Sequence, residues 1–224
     1  MDQRVFLAIP SYDGTVTHTF IDSFIASLAE CGANDIGVRY KIWVGNCYVE
    51  QARNYLIREF LKSDCTDMLF IDADVAWDAS KVPQILSYDK DIVAGIYPYK
   101  SNELNFPAIW KNPVRWDGDL LEMQGVPTGF LRIRRNVLEK FIEKFPERLT
   151  RQLNPDGSVK DEYYHIFRCF QRGEMWFGED YNFCYEWAEM GGSLWAMPDV
   201  QFLHTGRKCF EGNYLAFLKE KGIA

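Results

Sequence analysis

Four apolar runs punctuate the first hundred residues: VFLAI (5–9), IGVRYKIWVG (36–45), MLFI (68–71) and DIVAGIYP (91–98). Helical spacing fills the gaps between them. Val16, Phe20, Ile21, Phe24, Ile25 and Leu28 recur at helical intervals before Gly32, which stops the run. From Val49 to Leu61, Ala52, Tyr55, Leu56 and Phe60 share one side, and KVPQILSY (81–88) is a shorter helical piece. Strand and helix alternating in this way predict an α/β fold with parallel early strands.

The second half breaks the alternation. AIW (108–110), VRW (114–116) and FLRIR (130–134) read as short strands between turns, which predicts a mixed sheet edge. RRNVLEKFIEKF (134–145) and EDYNFCYEWAEMGG (179–192) read as helices, the latter ended by two glycines, and LWAMPDVQFLHTG (194–206) has strand character. Between them, 146–173 is polar, carries the turn NPDG, and reads as a flap or insertion. The 224 residues hold no repeat or low-complexity linker, so one domain over 1–224 is expected.

The net charge of −7 excludes the broad positive field of a non-specific nucleic-acid binder. No polybasic run suits a membrane surface, and no apolar segment reaches the length of a span. An anionic ligand must therefore be met locally, by a few cations or a metal. The six cysteines form no CxxC or paired spacing, and the short apolar run near the start is no signal core. Free thiols and a cytoplasmic location are expected.

Chemistry concentrates in three places. In MLFIDADV, Asp72 and Asp74 follow an apolar strand. Residues i and i+2 of an extended chain share a face, and two carboxylates pressed together need a cation or a proton between them. Strand C-termini of open α/β sheets are also where ligands bind. The alternative is that both aspartates cap the following turn. In GEDYNF (178–183), Glu179 and Asp180 open a helix, where acidic residues also suit the dipole. Trp176 and Phe177 precede them, so either carboxylate has a ring-lined approach and could act as a general base. In FLHTGRK (202–208), His204 follows an apolar run. An imidazole with two carboxylates suits Mn2+ over Ca2+. Arg207 and Lys208 could neutralise phosphate, or could simply be solvated. His18 and His165 read as structural or surface residues.

Taken in order, AIPSYDG, QARNYLIREFL, LFIDADV, VAGIYPYK, VPTGFLRIRR, GEDYNFCYEWAEMGG and FLHTG resemble nucleotide-sugar-dependent glycosyltransferases of the GT-A fold. The likeness is to compact, soluble ones of bacterial or large-DNA-virus type, and it runs from about residue 4 to 212. It implies a Rossmann-like fold with a mixed, mostly parallel sheet flanked by helices. It also implies a hexosyl- or deoxyhexosyltransferase of glycan biosynthesis that takes a nucleotide-sugar, UDP before GDP, to a glycan or glycoprotein acceptor. Pro10, Ser11 and Tyr12 would border base and ribose, with Arg53 near the nucleotide. Asp72, beside Ala73, would contact ribose or metal-bound water. Asp74 and His204 would hold Mn2+, or Mg2+, and Lys208 would sit by the phosphates. Thr128, Gly129 and Trp176 would face the donor. Asp180, with Glu179 beside it, would be the base of an inverting enzyme or an orienting group of a retaining one.

Two enzyme rivals fit less well. A haloacid-dehalogenase-type phosphatase normally opens on its DxD, and Ala76 replaces the usual Thr or Val. A nucleotidyltransferase wants a glycine-rich basic loop where SYDGT stands. A carbohydrate-binding or assembly protein without turnover is the non-enzyme alternative.

Overall fold

The computed structural model describes residues 3–206 and 208–223. Its first part follows the predicted order: β1 (Arg4–Ser11), α1 (His18–Ala33), β2 (Gly37–Val44), α2 (Val49–Leu61) and β3 (Asp67–Ile71). Then come the two-residue β4 (Val75–Ala76), α3 (Lys81–Ser87) and β5 (Ile92–Gly95). Four strands follow, β6 (Ile109–Trp110), β7 (Trp116–Asp117), β8 (Leu120–Gly125) and β9 (Phe130–Arg134), then α4 (Arg135–Lys144). The polar segment holds β10 (Leu149–Leu153), β11 (Val159–Tyr164) and β12 (Phe170–Arg172), the last paired with β13 (Met175–Phe177). The chain continues through α5 (Glu179–Glu189), β14 (Leu194–Met197), β15 (Gln201–Thr205), β16 (Cys209–Asn213) and α6 (Tyr214–Glu220).

The main sheet runs β2-β1-β3-β9-β5-β14-β8-β6, with β7 also on β8. Three neighbouring pairs are parallel, β1–β2, β1–β3 and β5–β14, and five are antiparallel. The sheet is α/β and mixed as expected, with parallel early strands, but it is mostly antiparallel rather than mostly parallel. The cause is β9, which inserts between β3 and β5 and opposes both. FLRIR is thus central, not at an edge. Two arginines made it look like an edge, yet Arg132 is fully buried beside Asp67 at 3.2 Å. Its two terminal guanidinium nitrogens donate to the Lys90 and Tyr88 carbonyls, so the buried cation is held by a carboxylate and two carbonyls.

Both faces of the sheet are covered, as alternation along each strand requires. Phe6, Ala8, Met68 and Phe70 face α2, α4, α5 and α6, whereas Val5, Leu7, Leu69 and Ile71 face α1 and α3. The core therefore pins the C-terminal ends of β1 and β3 side by side.

Segment 146–173 lies outside this sheet, with β10–β11 forming one hairpin and β12–β13 a second. Glu186 of α5, 2% exposed, fastens it: Arg148 grips both carboxylate oxygens at 2.7 and 2.9 Å, and Arg168 adds a bond at 2.9 Å. Burial pushes the Glu186 carboxyl up, but the two arginines outweigh it and hold it below the usual glutamate range. The stabilisation is therefore present above that range and lost as acid titrates the carboxylate. Glu186→Ala is expected to destabilise the fold by about 3 kcal/mol in urea unfolding. That is the lower end for breaking a buried pair, because Arg168 keeps some solvent.

Candidate functional site

A cavity of about 440 Å³ opens where the loops after β1, β2 and β3 meet, the carboxyl ends of the parallel strands. Eight predicted residues line it: Pro10, Ser11, Tyr12, Arg53, Asp72, Ala73, Asp74 and His204. Its floor is rigid. The Ser11 hydroxyl donates to the Thr15 carbonyl at 2.7 Å, and the Thr17 amide donates to the Ala73 carbonyl at 3.0 Å. Tyr12 leaves 70% of its surface exposed at the rim.

The two aspartates are not held on one extended face. The chain leaves β3 at Asp72 and turns, with the Val75 amide donating to the Asp72 carbonyl at 3.1 Å. Asp72 then points to Arg53, 3.5 Å away, and to the Tyr97 hydroxyl at 3.4 Å. Asp74 turns instead to Lys100 and His204. Gly129 backs Asp72, because a β-carbon there would lie 2.6 Å from both the Asp72 carboxylate and the Tyr97 ring. That crowding, rather than a turn, explains the glycine.

His204 reaches Asp74 through the sheet. β15 pairs antiparallel with β4, setting His204 opposite Val75, and the Thr205 amide donates to the Asp74 carbonyl at 2.8 Å. His204 Nδ1 lies 2.8 Å from the Pro98 carbonyl. A carbonyl only accepts, so Nδ1 carries the proton and the lone pair of neutral imidazole sits on Nε2. That nitrogen is 3.5 Å from Asp74 Oδ1. A backbone-oriented imidazole beside a carboxylate is a pair of donors that a divalent metal could use. The Asp74 carboxyl is raised by burial, but His204 and Lys100 outweigh this and hold it below the usual range. Among the described residues, no three His, Cys, Asp or Glu side chains surround one point. The predicted triad resolves into a pair, Asp74 and His204, with Asp72 committed to Arg53.

Arg53 is buried and joins this cleft to α5. Its Nε donates to Glu179 at 3.2 Å, across from Asp72. Burial works against the Arg53 charge, but Asp72, Glu179, Tyr97 and Asp180 outweigh it. Asp180 follows in the first turn of α5. Burial, then the Glu179 charge, raises its carboxyl to about 6, against opposing pulls from the Tyr181 amide and Arg53. The two acids therefore part in role: Glu179 holds Arg53, and Asp180 is left with a high proton affinity. Trp176, 69% exposed on β13, stands next to Gly178, whose missing side chain leaves the space beside Asp180 open.

Other predicted residues do not line the cavity. Thr128 is buried with its hydroxyl unpartnered. Lys208 turns to Asn102 at 2.7 Å and lies over the Phe210 ring. Arg207 lies outside the described residues. Sequence reasoning missed Lys100, which reaches Asp74, and Tyr97, which braces Asp72. The available signal was a Lys closing the loop after an apolar strand, in YPYK. All six cysteines are free, and among the described residues no helix is long and apolar enough to cross a membrane.

No family model matches the chain, and no curated protein matches it in sequence. Solved structures do. The crystal structure of A197 from STIV covers 91% of this chain and 86% of its own at 22% identity, with a TM-score of 0.54, which places the two in one fold. Weaker matches are a glycosyltransferase involved in glycosylation of the major capsid of PBCV-1 and S. aureus TarS 1–349 in complex with UDP. The former aligns over 64% of this chain and 66% of its own (12% identity, TM-score 0.38). The latter aligns over 62% and 49% (11%, 0.37). This chain, an α/β protein built on a large mixed sheet, is thus similar in fold to A197.

Proposed function

We propose that this chain is a glycosyltransferase that moves a hexose or deoxyhexose from a UDP-sugar to a hydroxyl of a glycan or glycoprotein acceptor. GDP is the second choice of nucleotide. One observation carries the reading: at the carboxyl ends of parallel strands, Asp74 meets the Nε2 ring nitrogen of His204 in a cleft of about 440 Å³. That volume is within the range of small-ligand sites.

Asp74 and His204 would hold a divalent ion, Mn2+ or Mg2+. When bound there, such an ion neutralises charge on the departing diphosphate. Ser11 and Tyr12 line the end of the cleft suited to base and ribose, and Arg53 offers a buried positive charge held ready by Glu179. Asp180 takes the proton of the acceptor hydroxyl while its oxygen bonds to the anomeric carbon and the bond to the diphosphate breaks. A carboxylate with a pKa of about 6 is ionised at neutral pH yet more basic than an ordinary aspartate. The open space at Gly178 and the exposed Trp176 ring give that hydroxyl an approach.

Calorimetric titration with UDP and GDP, with and without Mn2+, tests the reading. Heat is expected for UDP in the presence of metal. No binding in any of the four titrations would remove the transferase and leave a carbohydrate-binding protein without turnover.

A further inference from the structure

The four residues Tyr97–Lys100 follow β5, and three of them each touch a different member of the predicted cation set. The Tyr97 hydroxyl meets Asp72, the Pro98 carbonyl accepts from His204, and the Lys100 ammonium is paired with Asp74. Lys100 is held there by more than charge. Its stem crosses Gly206, where a β-carbon would lie 3.1 Å from Lys100 Cδ, and the residue lines the cleft. It takes Asp74 Oδ2 while His204 faces Oδ1. One carboxylate is thus shared between a cation the protein owns and the ring nitrogen suited to a metal.

An ammonium and a divalent ion held against one carboxylate repel each other, so each weakens the hold of the other. A diphosphate resolves the conflict by offering the ammonium other oxygens. We infer that Lys100 is the resident counter-cation of Asp74, displaced onto the donor's diphosphate when the metal enters. It therefore makes metal and nucleotide bind as a coupled pair. The inference rests on the reading of Asp74 and His204 as metal ligands. In the free protein Lys100 competes with the ion, and nucleotide relieves the competition. By linkage the metal raises nucleotide affinity by the same factor. The free protein also keeps its acidic turn neutralised while it waits for donor.

Electron paramagnetic resonance of free Mn2+ reads the coupling directly, with no acceptor and no turnover. Mn2+ is titrated into the unaltered protein, Lys100→Met and Lys100→Arg, each with and without UDP. In the unaltered protein UDP is expected to tighten Mn2+ about tenfold or more, a usual size for coupling between sites. Lys100→Met, which keeps the stem and loses the charge, is expected to bind Mn2+ alone about tenfold more tightly and to lose most of the UDP effect. Lys100→Arg should behave like the unaltered protein. Equal Mn2+ affinity and equal UDP enhancement in Lys100→Met and the unaltered protein overturn the inference and leave the transferase reading standing. An arginine variant that behaves like the methionine one overturns it too, since charge is then not the cause. If neither the unaltered protein nor Lys100→Met binds Mn2+ even with UDP, the transferase reading falls and the inference with it.

Discussion

Asp180→Asn is expected to lower the rate of sugar transfer by roughly 10²–10⁴-fold, the usual worth of a positioned general base, while UDP binding with metal is unchanged. The amide keeps the shape of the side chain and its place in the first turn of α5, but it cannot take a proton. Measured from acid to neutral pH, the unaltered protein should gain activity as the carboxyl ionises through about 6 and then level off. The variant should lack that limb. Its stability should move the other way. The folded protein holds the Asp180 proton more tightly than the unfolded chain does, so this group favours the fold below the ordinary aspartate range. The benefit is lost as pH rises through about 6. Above that value the asparagine variant should be the more stable of the two, as is common where a site strains the fold for function. Full-speed transfer by Asp180→Asn would take Asp180 out of the chemistry.

Asp74→Ala is expected to abolish metal-dependent nucleotide binding. Loss of an outer-shell partner alone typically costs 10–100-fold in metal affinity, so loss of a direct ligand should cost about a hundredfold or more. The fold should survive. Asp74 is 35% exposed and its partner Lys100 36%, and partly exposed pairs contribute on the order of 1 kcal/mol or less. A melting curve near that of the unaltered protein, together with silent UDP calorimetry in Mn2+, is the expected combination. Normal metal-dependent binding by this variant would unseat Asp74 as a ligand.

The elements were legible where one physical rule acts alone. The helix over Val49–Leu61 ends where its apolar stripe ends, and MLFI is the strand it looks like. The pairing of strands was not legible. Nothing local in FLRIR says that β9 will enter between β3 and β5, since its buried arginine depends on Asp67 far away in sequence. LLEMQG was missed because Glu122 breaks its apolar run, yet that carboxylate is buried against Lys111. At the site, the residue types were readable and their partners were not. Asp72 and Asp74 were expected to converge by the two-residue period, but the turn between them sends one to Arg53 and the other to His204. Lys100 escaped notice because a lysine in a loop is nearly always a solvated one.

The β4–β15 ladder has a bearing on how the protein is made. Asp74 and His204 are 130 positions apart (204 − 74), so translation at roughly 5–20 residues per second separates their emergence by on the order of ten seconds. For that interval the nascent α/β half presents its acidic loop with β15 still unmade, and Asp74 and His204 cannot meet. Long-range pairing of this kind is slow to form because loop closure comes before any reward. Assembly of the cleft therefore belongs to the end of folding, after the sheet that carries it is already standing.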